Sequence, residues 1–120
     1  PDLGRYPVAY MAEPGFWTLT EREAAGFRAY LQKGGFVIFD DFAEDRGGWA
    51  YFTSVMSRVI PGSRWQELDG SHQIFHAFFE IPSPEAFLPP YDRGYRPVFY
   101  GMYAHLYDAN FRDLAPARRE

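Results

Sequence analysis

Apolar and polar positions divide the first forty residues into a strand, a helix and a second strand. Residues 6–11 (Tyr-Pro-Val-Ala-Tyr-Met) form a short apolar run with β-formers, which predicts a buried strand. Glu13-Pro14-Gly15 breaks it and starts a loop. Thr20-Glu21-Arg22-Glu23 then matches a capping box. In that motif the Thr20 hydroxyl accepts the Glu23 backbone N–H, and the Glu23 carboxylate reaches back to residue 20. Ala24, Phe27 and Leu31 follow at helical spacing, and Gly34-Gly35 supplies the left-handed residue that ends such a helix. Phe36-Val37-Ile38-Phe39 is apolar without alternation, the pattern of a parallel strand covered by helices on both faces.

The rest of the chain is patterned less strongly. Trp49, Phe52, Val55 or Met56, and Val59 make a second helical stripe that Pro61-Gly62 stops. Residues 64–68 are expected to be a third strand, since they follow a helix in βα order. Residues 71–79 fit a short helix or an irregular turn. Pro82, Pro84, Pro89 and Pro90 exclude long regular structure up to about Asp92. Residues 98–103 read as one more strand, and the tail from Asp108 is polar and expected to fray. A strand, crossover helix and strand pair in parallel, so the predicted fold class is a three-layer α/β domain with a mainly parallel sheet. Such sheets bind ligands outside the carboxyl ends of their strands. Here that rim would carry Glu13 after the first strand and Asp40-Asp41 after the second.

Composition narrows the function. A chain of 120 residues supports one core and one domain. Aromatics make up 20%, so burial relies on large flat side chains. The formal charge of -4 argues against a nucleic-acid partner. No apolar run approaches the roughly 18 residues of a membrane span. The chain opens on Pro1 rather than Met, which suggests a processed or excised piece. With no cysteine, the segment has no disulfide, no thiolate metal site and no cysteine nucleophile.

Three separated motifs carry a resemblance. They are residues 6–17 (YPVAYMAEPGFW) with 31–42 (LQKGGFVIFDDF), Ser71-His72-Gln73-Ile74-Phe75-His76 with Phe78-Phe79-Glu80-Ile81, and Pro89-Pro90-Tyr91-Asp92. In this order the chain resembles a bacterial family known as domain of unknown function 4159, from about Leu3 to Tyr103. The resemblance implies a flavodoxin-like parallel sheet between helices, as in class I glutamine amidotransferases and ThuA-like proteins. It also implies a fragment lacking the family's upstream part, and an exported or periplasmic setting, with a cytoplasmic one as the alternative. Gln73 stands where relatives tend to have Pro, and residues 104–120 depart from the family pattern.

In an amidotransferase the second strand would end at a nucleophilic Cys. Asp40-Asp41 stands there instead. A carboxylate nucleophile would give an anhydride rather than a thioester, so glutaminase activity is not expected. Glu13, Asp40 and Asp41 could converge, because neighbouring strands lie about 4.8 Å apart. Consecutive residues point to opposite faces of a strand, so both aspartates join Glu13 only if the chain turns. The group could hold Mg²⁺ or Ca²⁺ through hard oxygen ligands. The structural alternative is that Asp41 or Asp45 caps the second helix while Asp40 accepts backbone N–H groups. His72 and His76 would share a face of a helix and could bind Zn²⁺ with a further ligand, or serve as structural hydrogen-bonding groups. The aromatic series Phe75, Phe79, Phe87, Tyr91, Tyr95, Phe99, Tyr100 and Tyr103 suits either a binding platform or anchors for a proline-broken segment. Trp17 and Trp49 would wall a pocket or staple loops.

The leading expectation is a non-catalytic domain that binds a small molecule or a protein through Glu13, Trp17, Asp40, Asp41, His72 and His76. The alternative is a metal-assisted or acid/base hydrolase, acting on carbohydrate, with Asp40, Asp41 and His76 as catalytic candidates. No cofactor is predicted. A divalent metal on Glu13, Asp40, His72 and His76 is the alternative. Open sheet edges make self-association a further expectation.

Overall fold

A computed structural model of the chain describes residues 3–42, 46–81, 83, 99–102 and 104. They divide into two compact units, the first running through Ser63 together with Ala104, the second covering Arg64–Met102.

The first unit is built from β1 (Val8–Ala12), α1 (Glu21–Gln32), β2 (Phe36–Asp40) and α2 (Gly48–Val59). β1 and β2 pair in parallel, with Val8 opposite Phe36 and Ala12 opposite Asp40. The capping box forms as the sequence predicts. Glu23 N–H donates to the Thr20 hydroxyl at 3.2 Å, and Thr20 N–H donates to the Glu23 carboxylate at 2.8 Å. The Thr20 hydroxyl also donates to the Glu23 carboxylate at 2.8 Å, and the two bonds from Thr20 to that carboxylate hold it below its usual range, since both favour the charged form. At the other end Gly34 takes φ 100, and Gly35 N–H reaches back to the Tyr30 carbonyl at 3.0 Å.

The buried stripe of α1 is Ala24, Phe27 and Tyr30, with Leu31 half-buried. A period of 3.6 residues lets either residue 30 or 31 follow Phe27. Tyr30 takes the place because its hydroxyl finds the Tyr6 carbonyl at 2.8 Å, so the ring is buried with its polar tip satisfied. The ring also lies where a side chain at residue 35 would go: a Cβ on Gly35 would fall 2.4 Å from it.

α2 buries Phe52, Val55, Met56 and Val59, as its stripe predicts, and ends before Pro61-Gly62. Among the described residues no acidic side chain caps it. The position before its first turn is Gly47, left-handed at φ 72 and without a side-chain cap, so the expected cap from Asp41 is not made. Asp45 lies outside the described residues.

Both helices meet the same face of the sheet. The Phe39 ring lies 6.3 Å from Phe27 of α1 and 4.7 Å from Phe52 of α2. Trp17 joins this cluster, 5.9 Å from Phe27, 5.8 Å from Phe39 and 6.0 Å from Phe52. The expected coverage on both faces is not found among the described residues. Strand burial alternates, and Val8, Tyr10, Phe36 and Ile38 are 57, 62, 46 and 45% exposed on the opposite face. The chain is thus mixed α/β around a small parallel sheet.

In the second unit β3 (Gln66–Leu68) pairs antiparallel with β4 (Phe99–Gly101), Leu68 opposite Phe99. The expected third strand therefore exists, but not as a parallel extension of β1–β2. Its sequence gives the reason: Gln-Glu-Leu is too polar for a strand buried on both faces and suits an exposed ribbon. A 3-10 turn at Gln73–Phe75 replaces the helix considered for 71–79, and Phe75 packs edge-on against Phe99 at 5.5 Å. The proline-broken segment, Phe87, Tyr91, Tyr95, Tyr103 and the tail from Asp108 lie outside the described residues. Among those residues no helix is long and apolar enough to cross a membrane.

Candidate functional site

The parallel pairing brings Glu13, Asp40 and Asp41 to one end of the first unit's sheet. β1 and β2 each end in a left-handed turn. Glu13 has φ 53 and Asp41 φ 61, and among the described residues they are the two non-glycine positions with positive φ. Such a conformation costs on the order of 1–2 kcal/mol for a residue with a Cβ. Surrounding contacts enforce it. Glu13 N–H donates to the Asp40 carbonyl at 2.8 Å, carrying the ladder one step past the strand, and Pro14 is buried immediately afterwards. Gly15 then lies against α2: a Cβ there would stand 2.8 Å from Gly48 Cα and 3.0 Å from the Phe42 carbonyl oxygen.

The turn at Asp41 also settles the question of faces. Asp40 keeps the strand's alternation and lies on the outer face with Tyr10, whose hydroxyl donates to Asp40 Oδ2 at 2.5 Å. The other carboxylate oxygen accepts Asp41 N–H at 2.9 Å, the backbone-binding role considered for Asp40. This carboxylate acceptor pushes the Tyr10 phenol above its ordinary value, because it stabilises the proton-bearing form, and the charges of Asp40 and Asp41 act the same way. Glu13, Asp40 and Asp41 are all exposed.

Trp17 leaves the rim for the core. Its indole sits among Phe27, Phe39 and Phe52, and its carbonyl accepts the Tyr51 hydroxyl at 2.8 Å. The buried Nε1 has no hydrogen-bond partner among the described residues. Trp49 packs on Phe42 at 5.0 Å and Phe52 at 5.7 Å. Both tryptophans thus staple the loops that follow the strands.

His72 and His76 belong to the second unit, where they flank the 3-10 turn instead of sharing a helix face. His72 Nδ1 accepts Ile74 N–H at 3.2 Å. His76 lies with Nδ1 2.7 Å from Glu80 Oε2 and Nε2 2.7 Å from the Gly70 carbonyl oxygen. The Glu80 carboxylate, then that carbonyl, raise the His76 pKa, because both favour a protonated ring. Asp69 accepts both the backbone N–H and the hydroxyl of Ser71, which holds its carboxyl below the usual range. An open groove of about 450 Å³ runs beside these residues, lined by Gln66, Glu67, Leu68, Asp69, Ser71 and His72. Among the described residues no group of three or more His, Asp or Glu side chains is placed to hold a metal ion.

Two participants were not singled out from the sequence. Tyr10 lies on the same face as Asp40 and diagonal to it, since Ala12 is Asp40's direct partner; such diagonal pairs are within reach of an aromatic side chain. Glu80 stands four residues beyond His76, and that spacing was the available signal.

No curated protein and no solved structure matches the chain. A family profile does match, over residues 1–107, and by that match the chain belongs to the family described as a domain of unknown function, DUF4159.

Proposed function

We propose that the chain is a non-catalytic binding domain on an amidotransferase-like, three-layer α/β plan, engaging a protein through the outer face and carboxyl rim of β1–β2. The observation that carries this reading is the outer face itself. Val8, Tyr10, Phe36 and Ile38 form one apolar surface and are each between 45 and 62% exposed. A contiguous apolar surface of this kind marks an interaction site. It is also what a middle layer would present to a third layer, here one supplied by the partner or by a second copy. Glu13 and Asp41 at the rim would set its polar border.

The absence of chemistry in this reading rests on occupied groups. Both Asp40 oxygens accept hydrogen bonds, and both His76 nitrogens face oxygen acceptors. With no cysteine in the sequence, the amidotransferase route lacks its nucleophile.

The test is a Val8→Lys/Ile38→Lys double variant. Sedimentation across a concentration series and binding of a hydrophobic dye should show association or dye uptake in the native chain and their loss in the variant, at unchanged Tm. A native chain that stays monomeric and dye-free would overturn the reading. So would hydrolysis of a carbohydrate panel that disappears with Asp40→Asn.

A further inference from the structure

We propose that His76 is a proton-operated clasp on the loop from Gly70 to Glu80, closed while the ring carries both its protons and opened when it loses one. Two contacts carry this. Nδ1 faces a carboxylate oxygen of Glu80 at 2.7 Å, and Nε2 faces the carbonyl oxygen of Gly70 at 2.7 Å. A carbonyl never supplies a proton, and an ionised carboxylate has none to give. Neutral imidazole has one N–H and one lone pair, so it satisfies one contact and turns a lone pair on the other. Imidazolium satisfies both.

The loop's other bonds do not replace this tie. Phe75 N–H donates to the His72 carbonyl, His76 N–H to the Gln73 carbonyl and Ile81 N–H to the Phe75 carbonyl, and none of these reaches both position 70 and position 80. The His76 side chain joins position 70 to position 80. Glu80 is the charged group acting on the ring; nearby, Asp69 is engaged by Ser71, and His72 Nδ1 by the Ile74 N–H. The ring is one-third exposed at 33%, so it exchanges protons with solvent directly. Phe78 and Phe79 ride on the clasped loop, 88 and 70% exposed and in edge contact at 4.7 Å, so the clasp governs how this aromatic pair is presented. While the clasp is closed the ring has no lone pair for a metal.

The direction with pH follows. The folded pKa of His76 is raised, so the clasp's contribution is complete below the ordinary imidazole value of about 6.5 and is lost as pH rises through the raised value.

Ring-nitrogen NMR on the whole chain between pH 5 and 9 tests this. The expected result is that both His76 nitrogens stay protonated above the ordinary range, and that Glu80→Gln moves the midpoint back into it. Amide protection over residues 70–81, corrected for intrinsic exchange, should fall several-fold across the native midpoint. A single neutral tautomer at pH 6.5, a midpoint unmoved by Glu80→Gln, or protection that ignores the midpoint would each overturn the proposal.

Discussion

The guanidinium of Arg28 on α1 closes the carboxyl end of α2, donating from Nε to the Val59 carbonyl at 2.5 Å and from Nη2 to the Arg58 carbonyl at 2.8 Å. The last carbonyls of a helix have no intrahelical donor, and a cation there also meets the negative end of the helix dipole. Arg58 in turn reaches the Leu19 carbonyl at 3.1 Å and pairs with Glu21. Each helix thus holds an end of the other.

Replacing Arg28 by Met keeps the apolar stem and removes both donors. We expect a loss of about 1.5–3 kcal/mol in urea denaturation, the range for hydrogen bonds involving a charged group. Lys at this position should recover less than half, because one ammonium cannot fork to two carbonyls as the planar guanidinium does.

Two glycines should respond to alanine with opposite signs. At Gly15 the added Cβ meets backbone of Gly48 and Phe42, which cannot give way as a flexible side chain would. Gly15→Ala is expected to cost on the order of 1–3 kcal/mol and to disturb the Glu13 turn. Gly26 lies exposed within α1 with nothing within 4 Å of its would-be Cβ. Gly26→Ala should stabilise by roughly 0.5–1 kcal/mol. Thermal melts by circular dichroism decide both.

Tyr10 and Asp40 give the rim a readable titration. The Tyr10 phenol is raised above its ordinary value by donating to Asp40, so its contribution to stability is complete below about pH 10 and lost as pH climbs through the folded value. The difference in tyrosinate absorbance between the native chain and Tyr10→Phe should show one residue titrating late. Asp40→Asn should bring that residue back toward the ordinary range. No change with Asp40→Asn would refute the pairing as its cause.

Much of the first unit was legible because local and long-range signals agree there. Thr20 with Glu23, the apolar run 36–39 and the Phe52–Val59 stripe each specify an element by residue type and spacing. The parallel direction of the strands followed from the helix between them. The left-handed state of Glu13 was not legible, since glutamate does not announce positive φ; the ladder bond to Asp40 and the seat of Gly15 on Gly48 impose it. Asp41 is of a type that visits this region more readily, but its type alone does not say that it will. Coverage of the sheet was misjudged for a related reason. An unbroken apolar run says that both faces can be buried, not that a layer lies on each. The antiparallel partner of β3 lay about thirty residues away across a proline-rich segment, beyond the reach of any local pattern.

The indole of Trp17 touches a ring from α1, one from β2 and one from α2. Its fluorescence is therefore a built-in gauge of whether these three pieces have come together. A change that loosens any of them alters the same optical signal, so assembly can be followed in the unlabelled protein.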